Sequence, residues 1–173
     1  MEQAATNRTM VDRMKGAAML DIPTFTEVEH DTTLTGQAAG VVVLVALAKA
    51  IGSWDIGLLS AIVTAIASLL GWLIWAGVTY GIGDKVFGGT ATWGELLRAL
   101  GYAQAPGVLM VFAFIPLFGG LIALVVGLWT LVAGIVGIRE ALDFSTGKAV
   151  LTALLGWCAL IIPMVLLRMV GIG

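Results

Sequence analysis

The chain is predicted to be an all-α, polytopic transmembrane helix bundle of five spans, with short amphipathic N-terminal helices at the cytoplasmic surface. Three observations predict it. Of the 173 residues, 60% are hydrophobic and only 12% are charged, about half the charge of an ordinary globular domain. Residues 56–80, 99–138 and 149–167 carry no charge, and residues 32–54 are interrupted only by Lys49. A bilayer core takes roughly 20 apolar residues to cross, and each run is long enough. The basic residues are also lopsided, with Arg8, Arg13, Lys15, Lys85, Arg98, Arg139 and Lys148 on one side of a five-span layout and Lys49 and Arg168 on the other. By the positive-inside rule the N-terminus is then cytoplasmic and the C-terminus outside. One span more or fewer would scramble that split.

Residues 1–34 read as a cytoplasmic N-terminal segment with interfacial helices, and residues 35–173 as the five-helix membrane domain. The first 31 residues are polar and mixed in charge, unlike a cleavable leader, so the first span is expected to be retained. Met10, Val11, Met14, Ala17 and Ala18 recur at helical spacing opposite Asp12, Arg13, Lys15 and Gly16, a weak amphipathic face suited to the headgroup boundary that need not penetrate deeply. After Pro23, Thr24-Phe25-Thr26-Glu27 has the form of a capping box that starts a second helix reaching about Asp31. The same pattern, Thr92-Trp93-Gly94-Glu95, marks the start of the third span. An uncharged run over residues 99–138 would reach about 60 Å as one helix. Pro116, Gly119 and Gly120 at its centre predict a hairpin of two spans instead.

Helices in lipid associate largely by close packing of small residues. Gly36 and Gly40 make a GxxxG in the first span, Ser60, Thr64, Ala67 and Gly71 a stripe in the second, and Gly120, Ala123, Gly127, Thr130, Gly134 and Gly137 a stripe in the fourth. These are read as intrachain packing faces. The single cysteine, Cys158, reads as a small core residue of the last span.

Buried ionisable groups would mark function, but Lys49 and Arg168 lie near span ends where they can snorkel, and Arg98 lies in the first turn of its helix. No Ser/His/Asp, HExxH, GxSxG or P-loop arrangement occurs. The chain therefore reads as no enzyme, with no catalytic, cofactor-binding or metal residues assigned. His30 beside Glu29 and Asp31 is read as a solvated helix end rather than a metal site, and a net charge of −2 leaves no basic surface for nucleic acid. One intramembrane site is predicted at Tyr102, Gln104 and Pro106, because a proline inside a span frees a carbonyl and bends the helix. The polar turn with Arg139, Glu140, Asp143 and Lys148 is predicted to supply cytoplasmic partner contacts.

Taken in order, Leu20-Asp21, Glu27-Val28-Glu29 with Asp31, Thr35-Gly36-Gln37-Ala38, Gly88-Gly89-Thr90-Ala91-Thr92, Ala99-Leu100-Gly101-Tyr102-Ala103 with Pro106, Gly137-Ile138-Arg139-Glu140-Ala141 and Gly147-Lys148-Ala149 resemble a prokaryotic member of the Ypt/Rab-interacting (Yip) membrane protein family. The resemblance covers the chain from about residue 20 and implies an N-in, five-span bundle. For eukaryotic members it implies vesicle trafficking through prenylated Rab GTPases. The long cytosolic N-terminal domain of those members has no counterpart in this sequence, so a small GTPase partner carries over by family analogy only. The expected function is a non-enzymatic membrane scaffold or adaptor, a subunit of a larger membrane assembly or a trafficking-like factor. The alternative is a small permease or lipid-handling protein with a site near the third-span kink. Expected partners are the lipid bilayer and other membrane proteins or further copies of the chain, with no nucleic acid, in the plasma membrane of a prokaryote.

Overall fold

The computed structural model describes residues 8–54 and 57–169, with side chains as far as Cys158. Among these residues every regular element is helical. Helix α1, Met10–Ala18, opens on a reciprocal cap in which the Thr9 hydroxyl accepts from the Asp12 amide and the Thr9 amide donates to Asp12 Oδ2. It closes on Leu20 at φ 60°, with the Asp21 amide donating to the Gly16 carbonyl and the Leu20 amide to Ala17. That is the Schellman pattern, with leucine where glycine is usual.

Helix α2, Ile22–His30, is capped by Asp21, whose carboxylate accepts from the Thr24 amide at 3.1 Å. The box expected at Thr24 and Glu27 is thus not the cap. Proline is tolerated in a first turn, so the helix begins ahead of Pro23 and encloses Thr24. Glu27 is drawn instead to Arg8 and Arg13.

Four segments are long and apolar enough to cross a membrane: Thr32–Gly52, which contains α3 (Thr35–Gly52); α4, Leu58–Lys85; Trp93–Phe114; and α6, Gly119–Ala141. A further helix, α7, runs from Thr146 to Met169. The expected box at Thr92 and Glu95 does start α5, Trp93–Ala103, with the Thr92 amide donating to Glu95 Oε2 at 2.8 Å. The expected bend at Pro106 takes the form of a change in helix type. Proline has no N–H for the Tyr102 carbonyl, and from Ala105 to Phe114 the chain winds as a 3-10 helix. The predicted hairpin turn falls at Ile115–Phe118, with Leu117 at φ 69°.

Helix α3 and the third segment run side by side in the same direction. A Cβ on Gly101 would stand 2.8 Å from Ala38 Cβ, one on Gly107 2.5 Å from Val45 Cγ1, and one on Gly52 1.9 Å from the Met110 carbonyl oxygen. Backbones approach so closely only where one side lacks a side chain. The GxxxG glycines are not the packing face, since Gly36 has nothing within 4 Å of a built Cβ and Gly40 meets only Met10 Sδ at 3.8 Å. Ala38, between them, makes the contact. The α6 stripe divides. Gly134 lies against Trp75 and Gly137 against Phe25 and Ala99, whereas Gly120 and Gly127 meet nothing within 4 Å.

The first two helices lie along the flank of the bundle rather than beneath it. Trp129 Nε1 donates to the Ala18 carbonyl at 2.7 Å. Trp129 stands twelve residues before the end of α6 at Ala141, about 18 Å along its axis. Phe25 and Val28 of α2 are fully buried against the bundle, while Met19 at the tip is 78% exposed. Cys158 is exposed as well, not a core residue. The side chain of Arg168 lies outside those described.

Candidate functional site

Charged residues gather on the helix ends that flank the 86–92 and 142–145 loops, Asp84, Lys85, Glu95, Arg139, Glu140 and Lys148 among them, and there α2 is clamped onto the bundle. Arg98 is the clamp. Its side chain, with the residue 4% exposed, donates from Nε to the Val28 carbonyl at 2.8 Å, from a terminal nitrogen to the Glu29 carbonyl, and from Nη1 to Thr35 Oγ1 at 3.4 Å. Carbonyls at a helix C-terminus have no intrahelical donors, and a guanidinium fork supplies several at once. Arg98, expected in the first turn of its helix, is the sixth residue of α5. It caps α2.

A second network joins α1, α2, α3 and α5. Glu27 accepts from Arg13 Nε at 2.8 Å and from Arg8 Nη1 at 2.9 Å, and Arg8 also donates to Thr24 Oγ1. Gln37 Oε1 accepts from Arg13 at 3.4 Å and from the Tyr102 hydroxyl at 3.0 Å. Of the three residues expected to form one intramembrane site, Tyr102 is fully buried in this network and Pro106 is buried in the packing against α3. Gln104 alone lines a cavity, described below.

The four residues expected to contact a partner are tied to their own fold. Arg139 donates to Glu140 at 2.6 and 2.8 Å. Asp143, at φ 53°, accepts from Thr90 Oγ1 at 2.9 Å. Lys148 donates to the Phe87 carbonyl at 3.3 Å with its ammonium 5.3 Å from the Phe144 ring centre, and Phe87 and Phe144 meet edge to face. These contacts join the 86–92 and 142–145 loops into one surface.

Glu29 is the anomalous group on that surface, and sequence reasoning missed it. It is 7% exposed, its Oε2 has no hydrogen-bond partner, and its Oε1 lies 3.2 Å from His30 Nδ1. Burial pushes its carboxyl up to about 7, with Glu140, Glu95 and Asp143 adding to the rise and His30 opposing it. From about pH 4.5 to 7 the folded chain then holds a proton that the unfolded chain has lost, so this group's contribution to stability falls as pH rises through that window. Glu29→Gln is expected to flatten the pH profile of thermal unfolding. At pH 8 it should gain about 1–3 kcal/mol, the cost of an unsatisfied buried charge. An unchanged profile between pH 5 and 8 would refute the assignment. Among the described residues no group of three or more His, Cys, Asp or Glu is placed to hold a metal ion.

At the other end the helices part around a cavity of about 640 Å³. Small residues of the α4 and α6 stripes, Gly71, Ala123, Gly127 and Thr130, line it instead of packing together. Trp72, Trp75 and Trp157 form apolar walls, and Lys49, Ser68 and Gln104 are its other polar residues. The volume falls within the range of about 300–1,000 Å³ common for small-molecule sites. Trp72 Nε1 is satisfied by the Leu97 carbonyl at 3.0 Å, but Trp75 Nε1 and Thr79 Oγ1, both against Gly156, are buried without hydrogen-bond partners among the described residues.

Neither the curated proteins nor the solved structures contain a match to this chain. A family model does match, that of the Yip1 domain, over residues 19–167. The match runs from the turn after α1 into α7 and so takes in the Arg98 clamp, the paired loops and the cavity. With nearly the whole chain matched and its long helices apolar enough to span a bilayer, this is a membrane protein of the Yip1-domain family.

Proposed function

We propose that this chain is a non-enzymatic scaffold or adaptor in the plasma membrane of a prokaryote, with five spans, a cytoplasmic N-terminus and an external C-terminus. The observation that carries the reading is the pre-assembled charged end, where Arg98 and the Asp143–Thr90 bond hold α2 and two loops in one fixed surface. A surface already ordered pays little further entropy on docking. Arg139, Glu140, Asp143 and Lys148 are the contacts proposed for a soluble partner. The exposed apolar faces of α4 and α6, with Ile62, Ile66, Leu70, Leu124 and Leu128, are proposed to meet lipid, other membrane proteins or a further copy. The length of α7 and the lopsided basic residues support the fifth span and the orientation. A small GTPase enters by family analogy alone. Purification of the tagged protein from its native membrane in mild detergent, with mass spectrometry of everything that co-elutes, tests the reading. A stoichiometric protein partner is expected, and a chain that always elutes alone would overturn it.

The cavity favours a second reading, a small permease or lipid-handling protein. Gln104 has no side-chain hydrogen bond among the described residues and lines that space, as does Lys49. Gln104→Leu is then expected to abolish flux or lipid scrambling in vesicles while leaving thermal unfolding unchanged. Equal flux in the two proteins would end this reading.

A further inference from the structure

Lys49 is the exposed cation of α3, three residues from its end at Gly52, which puts it about 4.5 Å inside that end along the axis. No carboxylate among the described residues lies within ion-pair distance of its ammonium. An unpaired cation inside a span end is costly unless it meets water or an anion. Lys49 does not merely reach past the surface. It lines the cavity, as do Ser68, Thr130 and Gln104, whose side chain has no hydrogen bond among the described residues. The remaining walls are indole and aliphatic, and the glycines at 71 and 127 leave room with nothing within 4 Å of a built Cβ.

Chemically the space combines one cation near a span end with a mostly apolar cleft that carries Gln104, Ser68 and Thr130 farther inside. The charge excludes a purely apolar occupant as the best fit, and the cleft excludes a small hydrophilic anion. A lysine one turn inside a span end can reach headgroup phosphates with its long side chain. We propose that the cavity holds one anionic phospholipid, with its phosphate on Lys49 and an acyl chain running past Gln104 in the cleft between α4 and α6. The idea rests on the second reading above only in taking the cavity to hold a ligand. Retention is measured without flux, so the site and the transport activity stand or fall separately.

The test uses the full chain reconstituted in vesicles of equal phosphatidylglycerol and phosphatidylcholine, extracted in mild detergent and weighed by native mass spectrometry. The expected result is one phosphatidylglycerol per chain, enriched about tenfold over phosphatidylcholine, equivalent to about 1.4 kcal/mol. Lys49→Gln should lose the enrichment and Lys49→Arg should keep it. Gly127→Phe should lose bound lipid of both kinds, because its ring enters the cavity while the charge stays. Equal retention of the two lipids by the unaltered protein would overturn the proposal. So would undiminished enrichment in Lys49→Gln or full retention in Gly127→Phe.

Discussion

Arg98→Met is expected to release α1 and α2 from the bundle and to lower stability by about 3–5 kcal/mol, since each hydrogen bond to a charged donor contributes about 1.5–3 kcal/mol and the abandoned carbonyls stay buried. Methionine fills much of the space left by the arginine stem, so the loss would report the guanidinium rather than a hole. Two measurements check it. Thermal unfolding in detergent should shift down, and limited proteolysis should open a cut between His30 and Thr35 that the unaltered protein resists. Arg98→Lys should fall between, because one ammonium cannot reach the Val28 and Glu29 carbonyls and Thr35 with the geometry of a fork. Unaltered protease resistance in Arg98→Met would show that the N-terminal helices are held by their apolar contacts alone.

Gly101→Val is the second large effect, with an expected loss of about 2–3 kcal/mol from overpacking. The first added carbon already stands 2.8 Å from Ala38 Cβ and 3.2 Å from the Ala38 carbonyl oxygen. Neither atom can swing aside as the end of a long side chain could, so α3 and α5 must separate. Gly71→Ala gives the contrast. Nothing lies within 4 Å of that site, and alanine in a helix interior is favoured over glycine by up to about 1 kcal/mol. Its thermal midpoint should hold or rise. If both substitutions cost the same, close approach at Gly101 is not what joins the helices.

These two glycines also show what the amino-acid order does and does not disclose. Hydropathy alone located the long helices, because the cost of burying charge in lipid leaves uncharged runs that can be read directly. The Thr92–Glu95 cap and the turn at Pro116 were legible for a similarly local reason. Small residues were misassigned. A stripe of glycines says that something approaches closely or that space is left, and only the neighbouring helix decides between Gly101, which is packed, and Gly127, which lines the cavity. The roles of Arg98 and Glu29 were hidden for the same reason. Val28 and Arg98 are seventy positions apart, and the burial of Glu29 depends on packing between elements. Asp21 could have been identified as a cap, since an aspartate just ahead of a helix with proline in its first turn is a strong start signal. Thr9 with Asp12 offered a weaker one.

The polar ties between elements are concentrated at one end of this molecule. The arginine clamp, the Glu27 network and the joined loops all lie beside the charged surface, while the opposite half encloses empty volume between thinly covered walls. Local opening costs least where buried contacts are fewest. The two ends should therefore separate mechanically, with the charged base moving as one body and the far halves of α4 and α6 parting and closing above it like the jaws of a clothes peg hinged at its closed end.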